Sequence, residues 1–117
     1  MTLAERLLSS LSRPPEADDY GDAVDPWTAE NALDLLRAAF PDLAERVRGR
    51  RVLDFGCGAG WQAAALAREG AAFVRGVDTH DVVLEKARAL GASLGLDGGR
   101  LAFSAAVPEE EAGSFDV

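Results

Sequence analysis

The sequence predicts an α/β fold built on a parallel, doubly wound sheet, and three observations carry that prediction. The apolar run Val52-Leu53-Asp54-Phe55 leads straight into Gly56-Cys57-Gly58-Ala59-Gly60, three alternate glycines where a strand must turn sharply. Trp61 to Arg68 follows with Ala63, Ala64, Ala65, Leu66 and Ala67, strong helix formers small enough to pack closely on a sheet. A second apolar run, Ala72-Phe73-Val74-Arg75-Gly76-Val77, then stops at Asp78, 18 residues after Gly60. Strand, glycine turn, helix and strand in that order make a βαβ unit with parallel strands.

Taken from the N-terminus, residues 1–27 form an N-terminal helix and an acidic linker, and residues 28–117 form the sheet-bearing domain. Met1 to Ser12 sets Leu3, Leu7, Leu8 and Leu11 on one helical face, but Glu5 and Arg6 break the apolar continuity of a signal peptide. After Pro14-Pro15, Glu16, Asp18, Asp19, Asp22 and Asp25 stand in a stretch with no base, which reads as a solvated linker. The sharper alternative places Tyr20 and Trp27 in a segment that folds over a bound ligand. Thr28 to Phe40 carries Ala32, Leu33, Leu36, Ala39 and Phe40 at helical spacing, and Pro41 restarts a short helix through Val47 to Gly49. The helix from Trp61 stops at Gly70. Beyond Asp78, Val83, Leu84, Ala87, Leu90 and Leu94 make another amphipathic helical face. The Asp97-Gly98-Gly99 turn then introduces a third strand, Arg100 to Ser104. No internal repeat is visible.

The chemistry sits at the ends of the first two strands. Backbone pressed against a ligand needs residues without Cβ atoms, and Gly56, Gly58 and Gly60 meet that need at a helix N-terminus whose unpaired N–H groups face outward. Asp78, at the carboxyl end of the second strand, is placed to accept hydrogen bonds from a ribose diol. The bland reading is that Asp78 caps the next helix and the glycines only turn the chain. Among nucleosides, Asp54 disfavours NAD: a carboxylate two residues before the first glycine repels a pyrophosphate but attracts an ammonium or sulfonium. The dinucleotide pattern G-x-G-x-x-G/A is met only loosely, from Gly58 to Ala63.

These residues resemble a known family. Asp54-Phe55-Gly56-Cys57-Gly58-Ala59-Gly60 looks like the D/E-x-G-x-G-x-G first motif of class I S-adenosylmethionine-dependent methyltransferases, and Gly76-Val77-Asp78 looks like their second. Thr79 to Arg88 is similar to the family's second helix, and Gly113-Ser114-Phe115-Asp116-Val117 to the start of its fourth strand. The resemblance covers about residues 50 to 117 and implies a Rossmann-like sheet in the order 3-2-1-4, with S-adenosyl-L-methionine as cofactor. It further implies that backbone around Gly56 and Gly58 approaches the methionine part, with Cys57 and Gly60 also among the cofactor-binding residues, that Asp54 orients its amino group, that Asp78 holds the ribose hydroxyls and that Thr79 lies along the adenine. The family often places an Asp after strand three to read the adenine amino group, and Ser104-Ala105-Ala106 departs from that pattern. The implied reaction is transfer of the sulfonium methyl to an oxygen, nitrogen or carbon nucleophile of a small-molecule or protein acceptor. The catalytic residue is left unknown, with Asp116 the nearest candidate for a base.

Composition narrows the partners. With 48% hydrophobic and 27% charged residues the chain is ordinarily globular, and the single Cys57 excludes an intramolecular disulfide framework. A net charge of −8 argues against a nucleic-acid backbone, no run is long enough to span a membrane, and the cytoplasm is the expected address. His80 reads as a capping or surface residue, Cys57 as a space filler, Glu109-Glu110-Glu111 as a solvated turn and not a metal site, and Trp61 as lining either a pocket or the preceding helices. Since Val117 falls within the expected fourth strand, the reading is of an incomplete sheet, the N-terminal part of a methyltransferase without its acceptor half. Such a fragment is expected to be marginally stable or self-associating. The alternatives are an NAD-type oxidoreductase half-domain and an inactive truncated fragment.

Overall fold

The computed structural model describes residue 28 and residues 30–117. The first helix, the acidic linker, Tyr20 and Trp27 lie outside the described residues. The described elements are α1 (Asp34–Ala39), α2 (Leu43–Val47), β1 (Arg51–Phe55), α3 (Trp61–Arg68), β2 (Phe73–Val77), α4 (Asp81–Ser93), β3 (Leu101–Ser104) and a 3₁₀ turn at Glu109–Glu111.

β1, β2 and β3 form a parallel sheet in the order β1-β2-β3, with Val52 opposite Val74 and Val74 opposite Leu101. Alternation along the strands gives the two faces different fates. Val52, Val74, Leu101 and Phe103 point into a core shared with Ala63, Ala64, Leu66 and Ala67 of α3 and with Leu84 and Ala87 of α4. Alanine occupies the buried contact positions of α3, at Ala63, Ala64 and Ala67, as its composition predicts. Leu84, Val47 and Val74 are fully enclosed, each contributing about 1.5–3 kcal/mol of burial. On the opposite face, the described contacts come from residues 109–117. Arg75 pairs with Glu111 at 2.6 Å, and the Arg51 guanidinium lies 4.7 Å from the Phe73 ring and 5.4 Å from the Phe115 ring.

Both crossover helices end in the same way. Beyond α3, Gly70 N donates to Ala67 O and Ala71 N to Leu66 O; beyond α4, Gly95 N donates to Ala92 O and Leu96 N to Gly91 O. This paired pattern is a Schellman stop, and it buries Ala71 and Leu96 against the core.

Two elements depart from expectation. The helix expected over residues 28–40 is α-helical only from Asp34. Thr28 and Asn31 lock a turn, with Thr28 N donating to Asn31 Oδ1 at 2.7 Å and Asn31 N to Thr28 Oγ1 at 3.3 Å, and Asp34 N donates back only three residues, to Asn31 O. The fourth strand expected from Gly113 is not formed as such. Only its last residues reach the sheet: Asp116 N and Val117 N donate to Arg51 O, and Leu53 N donates to Val117 O at 2.9 Å.

Candidate functional site

Asp54 stands opposite Gly76 and Phe55 opposite Val77, so the glycine loop and Asp78 leave the sheet side by side at its carboxyl end. The loop folds back across the neighbouring strand, with Gly56 N and Cys57 N both donating to Val77 O, at 2.7 and 3.0 Å. Gly56, Gly58 and Gly60 all have left-handed φ, at +70°, +54° and +89°. Gly60 is the residue that caps α3, and its carbonyl accepts the Ala64 N–H at 2.9 Å.

The glycines divide between two roles. A Cβ on Gly58 would meet nothing within 4 Å, so the space above it is open at the mouth of the loop. A Cβ on Gly60 would come within 2.8 Å of Phe103 Cζ and 2.9 Å of Ala87 Cβ. Gly60 therefore lets α3, α4 and β3 close on one another, which differs from the expectation that all three glycines spare room for a ligand. Gly76 does the same on β2, where a Cβ would fall 2.5 Å from Phe103 Cδ1. The Phe103 ring thus packs the core beneath the site, a role the sequence reading missed.

Asp54 is the one charged residue buried among the described residues, 5% exposed, and its Oδ2 has no hydrogen-bond partner. Burial, reinforced by the charge of Asp78, lifts its carboxyl to about 7. Cys57 lies in the same enclosure. Burial first, then the charges of Asp54 and Asp78, push its thiol up to about 12, so it is inert as a nucleophile and fills space as expected.

Asp78 is firmly placed. Its Oδ2 accepts the Gly58 N–H at 3.1 Å, and its Oδ1 accepts the His80 N–H at 3.0 Å and lies 3.1 Å from His80 Nδ1. These bonds tie the β2 tip to the glycine loop and leave lone-pair capacity on Oδ2 for a further donor. Thr79 is exposed between them. His80 occupies the position before α4, but its side chain makes no capping hydrogen bond there and turns to Asp78 instead.

Three other residues are placed elsewhere. Trp61, on the outer side of α3, lines a groove of about 400 Å³ with Leu33, Arg37 and Leu94, the alternative in which it meets the preceding helix. Glu111 is not solvated as expected: it forms two bonds to Arg75, at 2.6 and 2.9 Å, and that guanidinium holds its carboxyl below the ordinary glutamate range. Asp116, the candidate base, accepts the Arg51 N–H at 2.9 Å. Arg51 opens β1, so Asp116 sits at the opposite end of the strand from Asp54 and cannot serve a ligand there.

The α/β fold is that of the Rossmann-like methyltransferases. A family model described as a methyltransferase domain matches residues 52–117. The chain belongs to that family. The ubiquinone biosynthesis O-methyltransferase of Neisseria meningitidis serogroup C (strain 053442) is 42% identical over 72 residues, which make up 62% of this chain and 30% of that protein. The protein of the same name from Hahella chejuensis (strain KCTC 2396) is 35% identical over 102 residues, 86% of this chain and 42% of its own length. The chain thus spans less than half the length of these curated relatives. Among solved structures, magnesium protoporphyrin IX methyltransferase from Synechocystis PCC 6803 with bound SAM superposes with a TM-score of 0.56 at 19% identity, over 91% of this chain and 55% of that one. A SAM-dependent methyltransferase from Thiobacillus denitrificans in complex with S-adenosyl-L-homocysteine gives 0.54 at 24% identity, over 91% and 37%. At these identities the likeness is one of fold.

Proposed function

We propose that this chain binds S-adenosyl-L-methionine across the tips of β1 and β2, as the cofactor half of an enzyme that methylates an oxygen of a small-molecule acceptor. The observation that carries the reading is the buried Asp54 carboxylate with an unpartnered oxygen, next to the open space over Gly58. A buried, unsatisfied carboxylate is costly unless a cation meets it, and the cofactor's ammonium is such a cation. Gly56, Cys57 and Gly58 then follow the methionine part with backbone, Gly60 sets the loop and the start of α3, Asp78 receives the ribose diol on its remaining lone pairs, and Thr79 flanks the base. Bound there, the cofactor supplies an activated methyl group; the protein's task is to hold donor and acceptor in line. The acceptor chemistry is inferred from the names of the curated relatives.

The same reading gives the domain as residues 28–117, the location as cytoplasmic, and the strand order as 3-2-1-4. Val117 supports that order, because its two bonds to Arg51 O and Leu53 N follow the pattern of a parallel bridge centred on Val52. No described helix is long and apolar enough to cross a membrane.

Calorimetric titration with S-adenosylhomocysteine and with NADH tests the reading. Saturable binding of the first and none of the second is expected. Preference for NADH would support the dinucleotide alternative, and binding of neither would leave an inactive fragment.

A further inference from the structure

The groove on the outer side of α3 takes no part in the proposed cofactor site. Leu33, Trp61, Ala65 and Leu94 give it an apolar floor, drawn from α3 and from the residues that precede α1 and follow α4. Trp61, Ala65 and Leu94 are only half-buried, so an indole, a methyl and an isobutyl group leave apolar surface in water there. The rim carries Glu30, Arg37, Arg68 and Glu69, two acids and two bases, with Arg37 bonded to Glu69 at 2.9 Å.

We propose that this groove seats the chain's own residues 1–12, which lie outside the described residues, through Leu3, Leu7, Leu8 and Leu11. These leucines share one helical face, and a helix that short is marginal in water until such a face is covered. The described chain begins beside the groove, since Glu30 on its rim stands two residues after Thr28. The connecting residues 13–27 have a span of roughly 22 Å as a flexible chain, which keeps the leucines near the groove at an effective concentration of about millimolar. Length matches: Leu3 to Leu11 rises about 12 Å as a helix, and α3 from Trp61 to Arg68 rises about 11 Å. Charge matches too, because Glu5 and Arg6 cancel and so do the acids and bases of the rim. A second copy of the chain has no tether and meets the repulsion of a net charge of −8.

The sequence has two tryptophans, so Trp27→Phe leaves Trp61 as the single indole of the full chain. Acrylamide quenching of its fluorescence then reads the cover over the groove. Leu7→Lys, in the middle of the leucine face, removes one buried leucine and lowers the docking equilibrium by at least about tenfold. The quenching constant is expected to rise by about twofold or more, with a red shift of the emission, as water reaches the ring. Ser9→Lys adds the same charge on the opposite side of the helix and is expected to change neither reading. Equal quenching with and without Leu7→Lys overturns the inference, and so does an equal rise with Ser9→Lys. Dilution of the chain without either lysine identifies the occupant. Protection of Trp61 that holds on dilution belongs to the chain's own segment, whereas protection lost on dilution belongs to a second copy and overturns the assignment.

Discussion

A side chain at Gly58 would project into open space, whereas one at Gly60 would overlap Phe103 and Ala87, so the same substitution should fail for different reasons at the two positions. Gly58→Ala is expected to fold with a loss of roughly 1 kcal/mol, the strain of a left-handed φ on an L-residue, yet to bind S-adenosylhomocysteine at least about tenfold more weakly. Gly60→Ala adds overpacking to that strain and should lose about 2–4 kcal/mol of stability. Thermal melts and titrations of both variants check the pair, and a Gly58→Ala chain with unaltered affinity would remove that residue from the site. Asp54 gives the pH dependence. Its carboxyl ionises near 7 in the folded chain against a usual value of 3.8, so the native state holds the proton more tightly than the unfolded one. Stability from this group is therefore fully present below about 3.8 and is lost as pH rises from there through about 7. Binding of an ammonium has the opposite preference, and affinity should fall about tenfold per unit below that point. Asp54→Asn is expected to melt higher than the parent at pH 8 and alike only below about 3.8, and to bind about tenfold or more weakly than the parent at pH 8. A variant that melts identically to the parent at pH 8 would show that Asp54 is not the buried acid described.

Among the elements, the 3₁₀ turn at Glu109–Glu111 is anchored by chemistry, because Arg75 in the middle of β2 reaches across the sheet face to hold Glu111. Glu111→Gln keeps the shape and removes the charge. It should lower stability by about 1 kcal/mol, allowing for partial solvent screening, and speed amide exchange at Ala112 and Ser114, whose N–H groups close the turn. The depressed carboxyl of Glu111 stabilises above the ordinary glutamate range and loses that effect as pH falls through its folded value, so the variant's acid limb should be flatter. Parent-like exchange at both amides would show that the ion pair does not hold the turn. Elements whose signals are local were legible in the sequence: β1, β2, α3 and α4 announce themselves through apolar runs, glycine punctuation and helical period, and Asp54 and Asp78 through their places at strand ends. Features that depend on distant partners were not. Nothing near Gly60 reveals that Phe103 will press on it, nothing near Glu111 reveals Arg75, and the strand position of Asp116 did not reveal that it would bond the first residue of β1. The shortened α1 is the same lesson at closer range, since helical spacing alone did not register the side-chain lock between Thr28 and Asn31.

At the scale of the molecule, the two faces of the sheet are unequal, and a parallel sheet is ordinarily covered on both. α3 and α4 seal one face. The other carries Leu53, Phe55, Phe73, Val77 and Ala102 by alternation and register, and among the described residues the segment 109–117 covers only part of it. Phe55 is 55% exposed and Val117 49%. Apolar surface on a sheet face favours association with a second copy, while the net charge of −8 opposes it through repulsion at long range. These two influences separate by ionic strength. Salt screens the repulsion and leaves burial intact, so sedimentation of this chain should show association that grows with concentration and grows further with added salt. Phe55→Lys, placing charge on the exposed position of that face, should reduce association at every salt concentration without lowering the melting temperature, because the residue contributes little to the helix-covered core. A chain that stays monomeric in high salt and melts cooperatively at high temperature would show that the partial cover from residues 109–117 is sufficient, and that the ion pair and the arginine–aromatic stack on that face do the work otherwise left to another layer.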